Sequence, residues 1–207
     1  MLDLRPGDLL GFAGRGLLCS AINLGTWGWP LAWPARWRGI SHVAICAELP
    51  GVGLAICESL AWPPPGDLPC AVQGTRTAGV QAHYPIPRLV CDIAAGGVVW
   101  HYKLKEPLRF SSRLRLSDFA AASIGTPYDW QGAFDARDLA ISAVKRWWLG
   151  DNGLHELFCS EFVAASWDRA GRGLWANPSH WAPNQLCRTA VADGLCHAPR
   201  RIQEADL

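Results

Sequence analysis

Apolar residues fall into strand-length runs through the first half of the chain and into helix-spaced sets through the second. "DLLGFAG" (8–14) predicts a strand entered through the turn at Pro6-Gly7, and "GLLCSAINLG" (16–25) a short helix closed by Gly25. "SHVAICAE" (41–48) and "GLAICESLA" (53–61) are two β-rich runs with Pro50 and Gly51 between them, the pattern of a hairpin. "AGVQAHYPI" (78–86) and "GVVWHYKLK" (97–105) predict further strands. Residues 117–125 predict a helix with Ser117 as cap and Gly125 as stop, and a longer helix covers much of 135–150. The segment at Cys159 predicts a helix ended by Gly171. A last helix takes 182–190 with Pro183 in its first turn, and a final strand lies near 195–202. The fold class is therefore α+β, a central antiparallel sheet or partial barrel packed against helices.

Two stretches follow neither period. The first, within a Trp-rich loop at 26–39, reads "TWGWPLAWPARW" and is too rich in Gly and Pro for regular structure. It is either a loop pinned by its aromatics or an apolar lip for a substrate or a membrane surface. The second is the proline-rich insertion at 62–73, opening with "WPPPGDLP".

Composition narrows the classes of function. With 207 residues, half of them apolar, the expectation is one domain, 1–207, with a substantial core. Nineteen Lys and Arg stand against 18 Asp and Glu with no long run of one sign, so nucleic acid is not the expected partner. Asp3 and the Pro-Gly-Asp at 6–8 sit where a secretion signal needs continuous apolar residues. The most apolar span, 43–62, is broken by Glu48, Pro50 and Glu58, so no transmembrane segment is expected and the protein is cytoplasmic as synthesised. Eight cysteines show no CxxC pair and no zinc spacing, so neither metal nor cofactor is expected, and most of the thiols read as core residues.

The hairpin carries the candidate chemistry. If Leu49-Pro50-Gly51 forms the loop, facing residues sum to 100, which sets His42 opposite Glu58 on one sheet face; a slip of one residue would separate them. A carboxylate that holds one imidazole nitrogen fixes the tautomer and stabilises the imidazolium. Cys159 supplies a matching nucleophile, because a helix start offers unpaired N–H groups and the positive end of the dipole. Each residue also has a plainer reading: His42 as packing, Glu58 as the exposed member of an alternating strand, Cys159 as a structural residue near a helix cap served by Ser160 and Glu161. His83 and His101 are alternatives for the third residue; His155 enters the Cys159 helix, and His180 and His197 read as surface residues.

Taken in order, "RPGDLLGF", "SHVAICAE", "AICES", "GTPYDW", "FCSEFVAASWDRAG" and "APNQL" resemble the circularly permuted branch of the NlpC/P60 papain-like superfamily, the YiiX/YaeF-like hydrolases, with lecithin:retinol acyltransferase-like enzymes as distant relatives. The resemblance runs from about 5 to 190 and implies a permuted papain-like fold with the histidine strand before the cysteine helix. It places His42 and Cys159 at the family's base and nucleophile, Glu58 at its variable polar third position, and Tyr128 at a tyrosine near the cysteine, a candidate for substrate positioning or oxyanion assistance. Trp37 and Trp130 are candidates for substrate contact. The Trp-rich loop and the Pro-rich insertion depart from the family and bear on substrate rather than chemistry. The implied activity is a cysteine peptidase or amidase acting on bacterial cell-wall peptide, for which delivery as a phage or virion component would fit. A lipid-directed thioesterase, amidase or acyltransferase and a non-catalytic part, for example in a phage tail among its structural proteins, are the other two readings.

Overall fold

The computed structural model describes residues 2–14, 39–64, 66–130, 157–173, 178 and 181–207. The expected helices at 16–25 and 135–150, nearly all of the Trp-rich loop with Trp37, and His155 and His180 lie outside the described residues. Within them, the strands are β1 (Leu9–Ala13), β2 (His42–Leu49), β3 (Gly53–Leu60), β4 (Gly79–His83), β5 (Val98–Tyr102) and β6 (Arg200–Ile202). They form one antiparallel sheet in the order β4-β3-β2-β1-β5-β6. The described helices are α1 (Pro85–Ala94), α2 (Phe110–Ser123), α3 (Cys159–Arg169) and α4 (Pro183–Ala192). The architecture is α+β, and among the described residues no helix is long and apolar enough to cross a membrane.

Alternation along the strands divides the core in two. Leu9, Val43, Ile45, Cys57 and Val80 join Leu116 of α2, Phe162 and Trp167 of α3 and Leu186 of α4 in one cluster. Leu10, Phe12, Ala44, Ile56 and Val99 join Leu89 of α1 in the other. Trp167 is fully buried and donates its indole N–H to the Gly7 carbonyl at 3.0 Å, which ties the cysteine helix to the turn before β1. Asp8 in that turn accepts from Arg5 N at 3.0 Å, Leu104 N at 3.0 Å and His101 Nε2 at 2.8 Å. His101 is thereby held by Asp8, away from the role of third residue.

The β2–β3 hairpin forms, with a different register from the one expected. Leu49 pairs with Gly53 and Ile45 with Cys57, so facing residues sum to 102. The turn is Leu49-Pro50-Gly51-Val52, closed by Val52 N to Leu49 O at 3.2 Å, with Gly51 at φ 75° in the position that a type II turn reserves for glycine. Continued along the ladder, the register sets Ala44 rather than His42 opposite Glu58. A shift of two keeps every side chain on its face, so His42 and Glu58 become diagonal neighbours and stay within reach of each other.

Two helices differ from the sequence reading. Helix α2 begins at Phe110, and Ser117, expected as its cap, lies mid-helix and donates its hydroxyl to the Glu48 carbonyl. Helix α1 starts at Pro85, inside the span read as a strand. Its inward side is mixed: Leu89 is fully buried and Ile93 packs on the same core cluster, but Arg88 is also only 2% exposed, while Ile86 and Val90 are 44% and 45% exposed. The core-facing stripe therefore carries a buried charge beside its apolar residues.

Candidate active site

Cys159 is the first residue of α3, after Phe158 in extended conformation. The first backbone bond of the helix is Phe162 N to Phe158 O at 3.0 Å, so the amides of Cys159, Ser160 and Glu161 precede the intrahelical ladder. No side chain at Phe158 caps them. Ser160, expected to serve the helix start, instead donates to the Trp181 carbonyl, and Glu161 is buried in the first turn. The helix start thus presents Cys159 at the positive end of the dipole with its own N–H outside the helix ladder.

His42 opens β2 at the rim of the sheet, where side chains from the helical layer can meet it. Its Nε2 lies 2.7 Å from Glu58 Oε2, so Nδ1 is the ring nitrogen left clear of that carboxylate, and Cys159 stands near enough to act on the ring electrostatically. Burial works against the imidazolium, but hydrogen bonds and charge from Cys159 and Glu58 outweigh it and raise the His42 pKa to about 10. Three side chains drawn from three separate stretches of sequence therefore meet in one row, Cys159, His42, Glu58.

Glu58 is fully buried, and four donors converge on its carboxylate. Arg88 gives Nε to Oε1 at 2.5 Å and Nη2 to Oε2 at 3.0 Å. His42 Nε2 meets Oε2 at 2.7 Å and His83 Nδ1 meets Oε1 at 3.0 Å. Burial favours the neutral acid, yet the charge of Arg88 and the bonds from His42 and His83 hold the carboxyl well below the usual range. His83, a sequence candidate for the third residue, is fully buried and bonds to Glu58 rather than to the Cys159–His42 pair. Arg88 was not singled out from sequence; the one local signal was Asp92 four residues on, which its Nη1 approaches at 3.6 Å.

The supports of the row come from the quoted motifs. Asn184 Oδ1 accepts from Ile40 N at 2.7 Å and pins the lead into β2. Ser59 donates to the Leu157 carbonyl at 2.5 Å, and Leu157 N bonds Pro127 O at 3.0 Å. The Gly125–Pro127 turn is itself sewn to β4 by Val80 N to Thr126 O at 2.8 Å and Gly125 N to Val80 O at 2.9 Å. Tyr128 thus follows a backbone joined to the lead into Cys159. Its ring meets Trp130 edge-on at 5.1 Å, and Trp130 meets Trp62 at 4.8 Å. Trp62 and Trp130 are 55% and 40% exposed.

The remaining described cysteines are free thiols. Burial pushes Cys46, Cys57 and Cys187 far up and Cys196 up to about 12. Among the described residues no group of three or more His, Cys, Asp or Glu side chains is arranged to hold a metal ion.

No family model matches the chain, and no curated protein matches it by sequence. Among solved structures it is similar to that of the metalloprotein yiiX from Escherichia coli O157:H7, a DUF1105 protein. The TM-score is 0.51 at 14% identity, over 98% of this chain and 98% of that one. The likeness is one of fold.

Proposed function

We propose that the protein is a permuted papain-like cysteine hydrolase that cleaves an amide bond through a thioester intermediate, with bacterial cell-wall peptide as its substrate class. The observation that carries this reading is His42 with Nε2 on the buried Glu58 and with Cys159, at a helix start, near enough to raise the affinity of its ring for a proton. The substrate class rests on the sequence resemblance to the NlpC/P60 superfamily, and the yiiX-like fold is consistent with it.

With its pKa raised to about 10, His42 carries the proton that the leaving group will need, and the attacking form of a cysteine is its sulfur anion. Cys159 Sγ attacks the carbonyl carbon, and the oxyanion is met by the Cys159 N–H with Tyr128 as the candidate second donor. The C–N bond then breaks as His42 Nδ1–H gives its proton to the departing amine. A water adds to the thioester, losing a proton to His42, and the acid leaves with regeneration of Cys159. Glu58 orients the ring throughout and takes no proton.

The solved relative is named a metalloprotein, and the donors here do not fit a metal. Both oxygens of Glu58 are engaged by Arg88 and by ring nitrogens that must carry hydrogen to face a carboxylate. No step is therefore routed through a metal.

One observation favours a second reading. The exposed Trp62–Trp130 pair beside Tyr128 would suit an acyl chain or membrane interface, as a lipid-directed thioesterase, amidase or acyltransferase requires. A thiol probe applied at mildly acidic pH should label Cys159 and spare the four thiols that burial keeps protonated. Cys159→Ala should abolish labelling. Purified muropeptides tested against short-chain acyl thioesters then choose between the two enzyme readings. Absence of selective labelling at Cys159 would instead favour a non-catalytic part built on this fold.

A further inference from the structure

We infer that Arg88 is a positioning residue for the reaction: its two-pronged grip keeps Glu58 an ionised acceptor, and Glu58 in turn makes His42 present Nδ1 to Cys159. The inference rests on the reading of His42 as the proton carrier of the site.

An ionised carboxylate has about four lone-pair sites and donates nothing. Arg88 Nε and Nη2 fill two of them, and His42 Nε2 and His83 Nδ1 the others. Each ring nitrogen that faces Glu58 must therefore carry its hydrogen. For His42 this fixes Nε2–H on Glu58, both in the protonated ring and in the neutral ring formed during turnover, and keeps Nδ1 free for the reacting side. Were Glu58 to take up a proton, it would offer its own O–H and the constraint on His42 would lapse.

Arg88 is the group that prevents this. Its charge is the largest influence opposing the burial of Glu58. Its guanidinium also lies 4.6 Å over the ring of Phe12, and that ring stands 5.5 Å from His42, so a second contact holds the imidazole from the side. The remaining titratable groups facing His42 are Asp92 of α1 and Cys159 of α3, with His83 of β4 beyond Glu58.

The inward side of α1 points the same way. Beside Leu89 and Ile93, which pack on the core, it places Arg88 in a fully enclosed position, a site where an apolar residue would otherwise be expected. Buried ion pairs are commonly replaceable by apolar residues without loss of stability, so stability alone does not account for this one.

The test uses the full chain and reads the His42 ring by NMR titration, with no need for turnover. The parent should titrate near 10. Arg88→Met should bring the value down by about one unit or more, toward the ordinary 6.5, and Arg88→Lys, which keeps charge but loses the fork, by less. In a Glu58→Gln background, adding Arg88→Met should cause no further fall, because Arg88 acts through the carboxylate. That double variant removes the buried Glu58–Arg88 pair together, leaving only the part-exposed Asp92 without its partner, and provides a folded reference if Arg88→Met alone does not fold, in which case Arg88→Lys carries the comparison. Against a cleaved substrate, kcat should drop roughly tenfold or more in Arg88→Met with KM little changed. A His42 titration that stays put or rises in the Arg88 variants would overturn the inference, as would a further fall from Glu58→Gln to the double variant. Loss of the cysteine-hydrolase reading would appear elsewhere, as unselective labelling at Cys159 with the His42 titrations still behaving as stated.

Discussion

At the scale of single residues, the site is decided by which groups share one carboxylate. Glu58 has no exposure to solvent and four donors, so each partner depends on the other three. Removing the carboxylate leaves Arg88 as a buried cation with only Asp92, 3.6 Å away, to answer it. Glu58→Ala should therefore cost about 3–5 kcal/mol in urea unfolding, and Glu58→Ala combined with Arg88→Met should recover much of that loss. His42 behaves differently, because 19% of its side chain reaches solvent and its bonds serve the reacting row. His42→Gln should lower kcat/KM by about 10²–10⁴ and also lower the urea midpoint near neutral pH, where the raised proton affinity of His42 adds to stability. The sequence makes Cys159, His42 and Glu58 candidates because helix starts and strand faces have a period that can be read without coordinates. Arg88 escapes that reading, since a charged residue on a short helix reads as solvated until its burial is seen.

At the scale of elements, glycines in left-handed backbone separate what a turn needs from what the site needs. Gly51 has φ 75° and open space where a side chain would go, so Gly51→Ala should lose about 1–2 kcal/mol from strain alone and leave activity intact. Gly79 has φ 108°, and a Cβ there would stand 2.2 Å from the Thr126 carbonyl oxygen. Gly79→Ala must push the Gly125–Pro127 turn off β4, and with it the backbone bond from Pro127 to Leu157 that leads into Cys159. It should lower both the urea midpoint and kcat, although residue 79 touches no reacting group. The strands and the helices at Cys159 and Pro183 are legible because each has a single period bounded by Gly or Pro. The hairpin was placed two positions off in register because the sequence marks Pro50-Gly51 as turn centre without saying which flanking residue closes it. Helix α1 is hidden because Arg88 shares its inward side with Leu89 and Ile93 while Ile86 and Val90 face solvent, and the N-terminal half of α2 by the absence of a clear apolar stripe around Phe110 and Leu114, both exposed.

At the scale of the whole molecule, titrating groups buried on both faces of the sheet make stability a property of pH. The Glu58 carboxyl is held well below 4.5, so its contribution is fully present above that value and is lost as pH falls through its folded pKa. His42 is held at about 10 against an ordinary 6.5, so its contribution is complete below 6.5 and disappears as pH rises toward 10. Cys46, Cys57, Cys187 and Cys196 add a second alkaline loss. Above their ordinary 9.0 the unfolded chain sheds thiol protons that the folded chain keeps, so the unfolded state is favoured. The expected curve has its plateau between about 4.5 and 6.5, a shallow decline to about 9, and a steeper one beyond. Urea unfolding at intervals from pH 4 to 11 would trace it. His42→Gln should remove the shallow part and leave the steep part, while Cys46→Ala should reduce the steep slope by up to about 1.4 kcal/mol per pH unit. A curve that stays flat from 6.5 to 10 in the parent would mean that His42 gains no proton affinity on folding, and the imidazolium beside Cys159 would go with it.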